Sequence, residues 1–258
     1  MTHLPAPGRG HLALLAAAIG LPLFSACSVV GSPKDVVPVH KIAGNDPGKV
    51  LVVVLPGFAF DHDDLRDKGV ATAIQKGWPS ADVALVGATF PYYRTGVLVE
   101  KLHAQVIAPA RAAGYRQVWL AGGSMGGMGT LLYEQAHPGE LTGLVILSPF
   151  LGSDDLLDEI REAGLERWSA GELSPVVDGD NYQRHVWKMI QGWGARPDPA
   201  ARVWLACGTE DPLFKDVQVM APVVPKDQYL PSPGGHSWDY WLPVVEDTFK
   251  RIAAKSPR

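Results

Sequence analysis

The stretch Gly122-Gly123-Ser124-Met125-Gly126 sets one hydroxyl among glycines, after the apolar run 117–121 and before a helix-like run that starts near Met128. A serine on so sharp a strand-to-helix turn is held in a strained backbone conformation, and only glycines leave room for the chain segments crossing beside it. The turn carries the hydroxyl beyond the carboxyl end of a strand, where open α/β sheets gather their ligands. Nucleophilic attack is the chemistry this arrangement suits, with Ser124 as the attacking group. A serine hydroxyl is a weak nucleophile until a histidine takes its proton and a carboxylate orients that histidine.

Both partners occur downstream. The apolar run 201–207 leads into Gly208-Thr209-Glu210-Asp211-Pro212, so Asp211 sits on the loop leaving a buried strand and Pro212 stops that strand. Pro233-Gly234-Gly235-His236-Ser237-Trp238 then places a histidine on a glycine-rich loop before the last predicted helix. Asp211 is the expected acid and His236 the expected base. Asp-Pro is also a common turn pair, so Glu210 stays open as the acid, as do Asp154 and Asp155 after the run 143–147. Of the other histidines, His3 and His11 lie in a leader, while His103, His137 and His185 fall in helix-like contexts. His62 follows the first sheet strand and is a candidate pocket liner.

Attack on a carbonyl puts charge on its oxygen, and fixed backbone N–H donors stabilise that charge by about 3–4 kcal/mol each. One donor is normally the residue after the nucleophile, here Met125, and the other comes from the loop after an early strand. The run 50–55 is such a strand and Pro56-Gly57-Phe58 follows it, which makes the Phe58 N–H the second candidate.

Taken together, these motifs resemble those of α/β-hydrolase-fold serine esterases over residues 48–254. They are Leu55-Pro56-Gly57-Phe58, the glycine-flanked Ser124, Gly208 to Pro212, and Gly234-Gly235-His236-Ser237-Trp238. Many relatives have His-Gly where this chain has Pro56-Gly57, a change that spares the backbone donor. The segment from His236 to Trp241 also resembles the histidine loop of the esterase D group, which includes the mycobacterial trehalose mycolyltransferases. The resemblance implies cofactor-free cleavage of small-molecule carboxylic esters through Ser124, His236 and Asp211. Acyl transfer to a sugar or other alcohol is the alternative it implies, and a non-catalytic envelope lipoprotein is a third reading.

The amino terminus bears on location. Residues 1–26 join Arg9 to a short apolar run and small residues, the pattern of a secretory signal rather than of a membrane span. The ending Phe24-Ser25-Ala26-Cys27 resembles a bacterial lipobox, which implies lipidation at Cys27. Ser28 in the next position favours an outer-membrane, periplasm-facing anchor; ordinary cleavage near Ala26, giving a soluble periplasmic or secreted protein, is the alternative. Residues 27–48 read as a tether with an edge strand near 36–42. With Cys27 lipidated, the other of the 2 cysteines, Cys207, has no disulfide partner and reads as a small core residue. The 23 basic and 27 acidic side chains are scattered, which points away from nucleic acid, and no zinc-type ligand spacing is visible.

These parts need a scaffold, and the remaining pattern supplies an α/β one. Strands are expected at 50–55, 82–87, 117–121, 143–147, 202–207 and 227–230, and helices at 63–76, 97–113, 126–137, 213–221 and 239–254. Pro109 predicts a kink or break in the second helix. The expected fold is a mostly parallel, doubly wound sheet in a domain spanning 49–258. The connection 150–199 is long for one crossover and predicts a small helical cap, with helical pieces at 154–163 and 182–191. Trp168, Trp187 and Trp193 are candidate pocket walls or packing residues of that insert. Phe58, Phe60, Tyr92 and Tyr93 are further candidate walls.

Overall fold

A computed structural model describes residues 29–256. The signal segment, the lipidation site at Cys27 and Ser28 therefore lie outside the described residues. The sheet strands are β1 (Val39–Ile42), β2 (Val50–Leu55), β3 (Asp82–Val86), β4 (Gln117–Gly123), β5 (Gly143–Leu147), β6 (Val203–Gly208) and β7 (Tyr229–Ser232). They form one sheet in the order β1-β3-β2-β4-β5-β6-β7. Only β1 runs antiparallel, against β3. Strands such as β2 are apolar at every position because both of their faces are buried. Val53 and Leu55 join one core with Leu102, Met128 and Trp187, whereas Val52 and Val54 join the other with Ile74, Trp241 and Phe249.

The strand order fixes where a site can form. The chain builds outward from β2 to β3, then returns to place β4 on the opposite side of β2. Loops leaving β2 and β4 consequently diverge and open a crevice at the carboxyl edge of the sheet. That crevice lies between residues 56–60 and the turn at Ser124.

Several elements depart from the sequence expectation for local reasons. The helix expected at 63–76 is two, α1 (His62–Asp67) and α2 (Val70–Gly77), parted at Gly69, whose φ of 79° no helix interior accepts. A short helix, α3 (Phe90–Arg94), is additional. The next runs as α4 (Leu98–Leu102), a π-turn (His103–Ile107) and α5 (Ala108–Ala112). Pro109 lacks an N–H for the helical ladder, and the wider turn just before it absorbs the mismatch without a break. Strand β7 begins two residues later than expected because residues 225–228 form a turn closed by Gln228 N–H to the Pro225 carbonyl, 2.9 Å.

The remaining helices are α6 (Met125–Ala136), α7 (Asp154–Ala163), α8 (Tyr182–Ala195), α9 (Pro197–Ala200), α10 (Phe214–Met220) and α11 (Trp238–Lys255). Within the long 150–199 connection, α8 packs on α6 and serves as the crossover helix. Trp168, Trp187 and Trp193 are buried in the core beneath it, and Trp187 Nε1 donates to the Leu151 carbonyl at 2.8 Å. These tryptophans are therefore packing residues and not pocket walls. The expected tether is partly body: Arg94 bonds the Gly31 carbonyl (2.7 Å), Lys101 the Asp35 carbonyl (2.9 Å) and Gln105 the Val37 N–H (2.8 Å). Among the described residues no helix is long and apolar enough to cross a membrane.

Candidate active site

Ser124 occupies the junction of β4 and α6 with φ 54° and ψ −120°, a conformation that costs a non-glycine residue on the order of 1–3 kcal/mol. The surroundings impose it. Ser124 N–H donates to the Leu147 carbonyl at 2.9 Å, and the Ser124 carbonyl accepts from Phe150 N–H at 3.0 Å. A side chain on Gly122 would collide with the Gly126 backbone, and a Cβ on Gly126 would stand 2.6 Å from the Leu55 carbonyl oxygen. The glycines on both sides are thus required by chain crossings, as the tight turn demands.

Non-glycine residues with positive φ are three among the described residues: Ala59 (65°), Ser124 (54°) and Ser148 (40°). They sit just beyond the carboxyl ends of β2, β4 and β5. The strain is therefore gathered around the crevice, and residues elsewhere in the fold do not share it.

Asp211 and His236 are brought together from neighbouring strand ends. The loops after β6 and β7 are fastened to each other by Thr209 N–H to the Ser232 carbonyl (2.9 Å) and Glu210 N–H to the Gly234 carbonyl (3.0 Å). Any side chain on Gly208 would strike the Gly234 backbone, and Gly234 itself has φ 138°. Across this contact His236 Nδ1 lies 2.8 Å from Asp211 Oδ2, with the carboxylate fully shielded from solvent. Glu210, Asp154 and Asp155 are exposed, so the structure selects Asp211 from the four candidate acids as the partner of His236.

Burial alone would raise the Asp211 pKa. The hydrogen bond and charge of His236, the Leu213 N–H (2.9 Å to Oδ1) and the Ser148 hydroxyl outweigh burial and hold it below the ordinary carboxylate value. An ionised carboxylate can only accept, so Nδ1 carries the ring hydrogen. The neutral imidazole then offers Nε2 as an acceptor for a hydroxyl proton.

Ser148 was not singled out by the sequence. It is fully buried, its N–H donates to the Ala206 carbonyl (2.8 Å), and its Oγ accepts from Trp241 Nε1 at 3.3 Å. The Trp241 ring stands edge-on to His236, 4.7 Å between centroids, and reaches back towards Gly123. Ser148 and Trp241 together brace the acid, the base and the backbone beside Ser124. A polar residue ending the wholly apolar run 143–147, directly before Pro149, is the signal that would have found it.

Met125 opens α6, and its N–H is among the first four donors of that helix, which have no intrahelical acceptor. Gly57 lies against Ser124: a Cβ there would stand 3.7 Å from the Ser124 Cβ. The Phe58 peptide follows at once, while the Phe58 ring is 45% exposed and meets Phe90 edge-on at 5.3 Å. Phe60 meets Trp238 at 5.4 Å, and Trp238 meets Trp241 at 5.2 Å, an aromatic row joining the β2 loop to the histidine loop. Below it, an apolar cavity of about 30 Å³ lies among Val54, Gly57, Ile74, Gly123, Trp241 and Phe249. That space holds a group about the size of one or two waters, not an acyl chain.

Three expected pocket liners lie elsewhere. Tyr92 is buried, and its hydroxyl meets the Lys34 N–H at 3.1 Å. The Tyr93 hydroxyl is buried against Gly129 of α6. His62 stacks on His40 with centroids 4.5 Å apart.

No family model matches the chain. No curated protein matches it either. Solved structures do. An S-formylglutathione hydrolase from Staphylococcus aureus superposes with a TM-score of 0.56 at 14% identity, covering 87% of this chain and 100% of its own. FphF, a fluorophosphonate-binding serine hydrolase of the same organism, gives 0.56 at 17% identity over 83% of this chain and 91% of its own. MPT51 from Mycobacterium tuberculosis gives 0.57 at 18% identity over 87% and 97%. With the parallel, doubly wound sheet, these likenesses show the α/β-hydrolase fold.

Proposed function

We propose that this chain is a cofactor-free serine hydrolase acting on small-molecule carboxylic esters. The observations that carry the reading come from the ends of four strands, β2, β4, β6 and β7: a strained Ser124, a Gly57-Phe58 peptide beside it, and a histidine whose Nδ1 is tied to a buried carboxylate, with Trp241 lying against both His236 and Gly123. The solved relatives named as hydrolases support it through the shared fold.

In this reading Ser124 Oγ attacks the acyl carbon as its proton passes to His236 Nε2, the two atoms closing to hydrogen-bond distance in the substrate complex. Asp211 fixes the ring and stabilises the imidazolium. The N–H groups of Met125 and Phe58 receive the oxyanion. His236 then protonates the departing alcohol, and water, activated by the same ring, releases the acid. The exposed Phe58 ring and the row from Phe60 to Trp241 form the apolar rim on which the substrate's carbon skeleton rests. Lipidation at Cys27 and residence in the bacterial envelope complete the proposal and rest on the sequence alone.

Turnover of an activated aryl ester by the wild-type chain and by Ser124→Ala tests the reading. Loss by orders of magnitude in a folded variant is expected, and retained turnover refutes it. Adding sugar acceptors and searching for transesterified product by mass spectrometry separates hydrolysis from acyl transfer. A wild-type chain inert toward every ester would favour a binding role for the same fold.

A further inference from the structure

The far end of α6 carries a second concentration of titratable side chains, remote from Ser124. His103 opens the π-turn, His137 follows the last residue of α6, Glu140 lies on the loop to β5, and Tyr133 is one turn before His137. The Nδ1 atoms of His103 and His137 stand 3.3 and 3.6 Å from the same carboxylate oxygen, Glu140 Oε2. One ligand atom from each residue lies within 4.8 Å of the other two. A zinc-type ion with bonds of about 2.0–2.1 Å sets tetrahedral ligands roughly 3.3–3.4 Å apart. The two imidazole–carboxylate separations are already close to that edge length. The two rings stack at 4.3 Å with 5° between planes, so their nitrogens lie side by side, and rotation about the soft ring torsions aims both at one point.

Three further features favour a cation here. Tyr133 is buried and donates its hydroxyl to Glu140 Oε2 at 2.7 Å. The hydroxyl orients the carboxylate, as outer partners of metal ligands do. Helix α6 ends at the site with no basic residue in its last turn, so its negative pole has no cation from the helix itself. Finally, the three ligands are 36%, 31% and 26% exposed, which leaves an entry path.

The contrast with the other such cluster is instructive. In His40, His62 and Asp63, the Arg66 guanidinium already reaches Asp63 Oδ1 (2.7 Å) and His40 Nε2 (3.3 Å), filling the place a metal would take. Beside Glu140, no guanidinium intrudes: Arg111 is engaged with the main-chain carbonyl of that residue, 2.6 Å away, and the group between His103 Nδ1 and Glu140 Oε2 is the uncharged Tyr133 hydroxyl, whose 2.9 Å bond to His103 an ion would replace.

We propose that His103, His137 and Glu140 bind one divalent transition cation of the zinc class, oriented by Tyr133, with the fourth position left to water. Two imidazoles and a carboxylate suit that class over magnesium or calcium. His137 and Glu140 are three residues apart and His103 comes from a distant segment, so the sequence shows no complete ligand spacing. Helix α6 is 12 residues long, so the ion would lie about 18 Å from Ser124 at 1.5 Å per residue. It touches no reacting atom and acts as a clamp holding the π-turn, the end of α6 and the β5 loop together.

Calorimetric titration of the tag-free full chain with Zn²⁺ tests this, alongside visible spectra with Co²⁺, whose absorption reports tetrahedral coordination. One equivalent bound, a raised Tm, and affinity at least about tenfold weaker in His103→Ala, His137→Gln and Glu140→Gln are expected. Tyr133→Phe should lose about 10–100-fold, and His40→Ala should bind as wild type. Circular dichroism establishes that each variant is folded, and the part-exposed His137→Gln keeps most of its side-chain volume. Wild-type protein that binds no stoichiometric metal overturns the proposal, as does binding that survives the His103→Ala/His137→Gln double variant.

Discussion

Gly126→Ala should damage catalysis far more than it damages the fold. On propensity alone alanine would stabilise α6 by about 1 kcal/mol over glycine, since its φ is not in the left-handed region. The new Cβ, however, would stand 2.6 Å from the Leu55 carbonyl oxygen and 2.8 Å from that of Pro56. Ordinary contact lies about 0.6–0.8 Å further out, and both obstacles are main chain, so α6 or the end of β2 must shift. Overpacking of this kind costs about 1–3 kcal/mol, which outweighs or cancels the propensity gain. The larger effect is on rate. Pro56 leads directly into Gly57 and Phe58, so the strain falls on the peptide assigned to the oxyanion. Misplacing a catalytic group by about 1 Å costs on the order of 10²-fold. Steady-state hydrolysis with a matched thermal melt should show kcat down by about 10²-fold, KM little changed, and Tm lower by a few degrees. Gly139→Ala, on an open loop with φ 81°, serves as the control: it should lose stability but keep kcat. Wild-type kcat in Gly126→Ala would refute the reasoning.

Asp211→Asn should lower kcat on the order of 10⁴-fold, because an amide no longer enforces the Nδ1–H tautomer; a loss under tenfold would remove Asp211 from the mechanism. Ser148→Ala strips one donor from that carboxylate and raises its pKa. Since the folded-state value is depressed, its stabilisation is present above the unfolded pKa and is lost as pH falls through the folded one. Urea denaturation across the acid range should therefore show Ser148→Ala losing stability at higher pH than wild type, and coincident curves would contradict the Ser148 bond. Burial pushes the Cys207 thiol up to about 12. Cys207 should thus resist thiol reagents near neutral pH until the chain is denatured, with peptide mapping as the readout.

How much of this was legible depended on whether a feature is local. The apolar runs of β2, β4, β5 and β6 announce buried parallel strands, and the glycines around Ser124 announce a crossing of chains, because each requirement lies within a few consecutive residues. Asp211 and His236 were legible for the same reason. The Ser148–Trp241 brace was not, since it joins residues 93 positions apart through the side of the sheet. The tryptophans of the long connection stayed open between two readings: their setting fits a pocket as well as a core, and only the placement of α8 on α6 decides for packing. Tyr92 faced the same ambiguity, resolved by the segment 31–37 lying along the α3–α5 side and covering it.

The central claim is that Ser124 is an activated nucleophile. Intact-mass analysis of the purified chain after exposure to a fluorophosphonate tests it without choosing a substrate, using Ser124→Ala as control. A single adduct that disappears in the variant is predicted. Folded wild-type protein that forms no adduct, or one that persists in Ser124→Ala, would contradict the account.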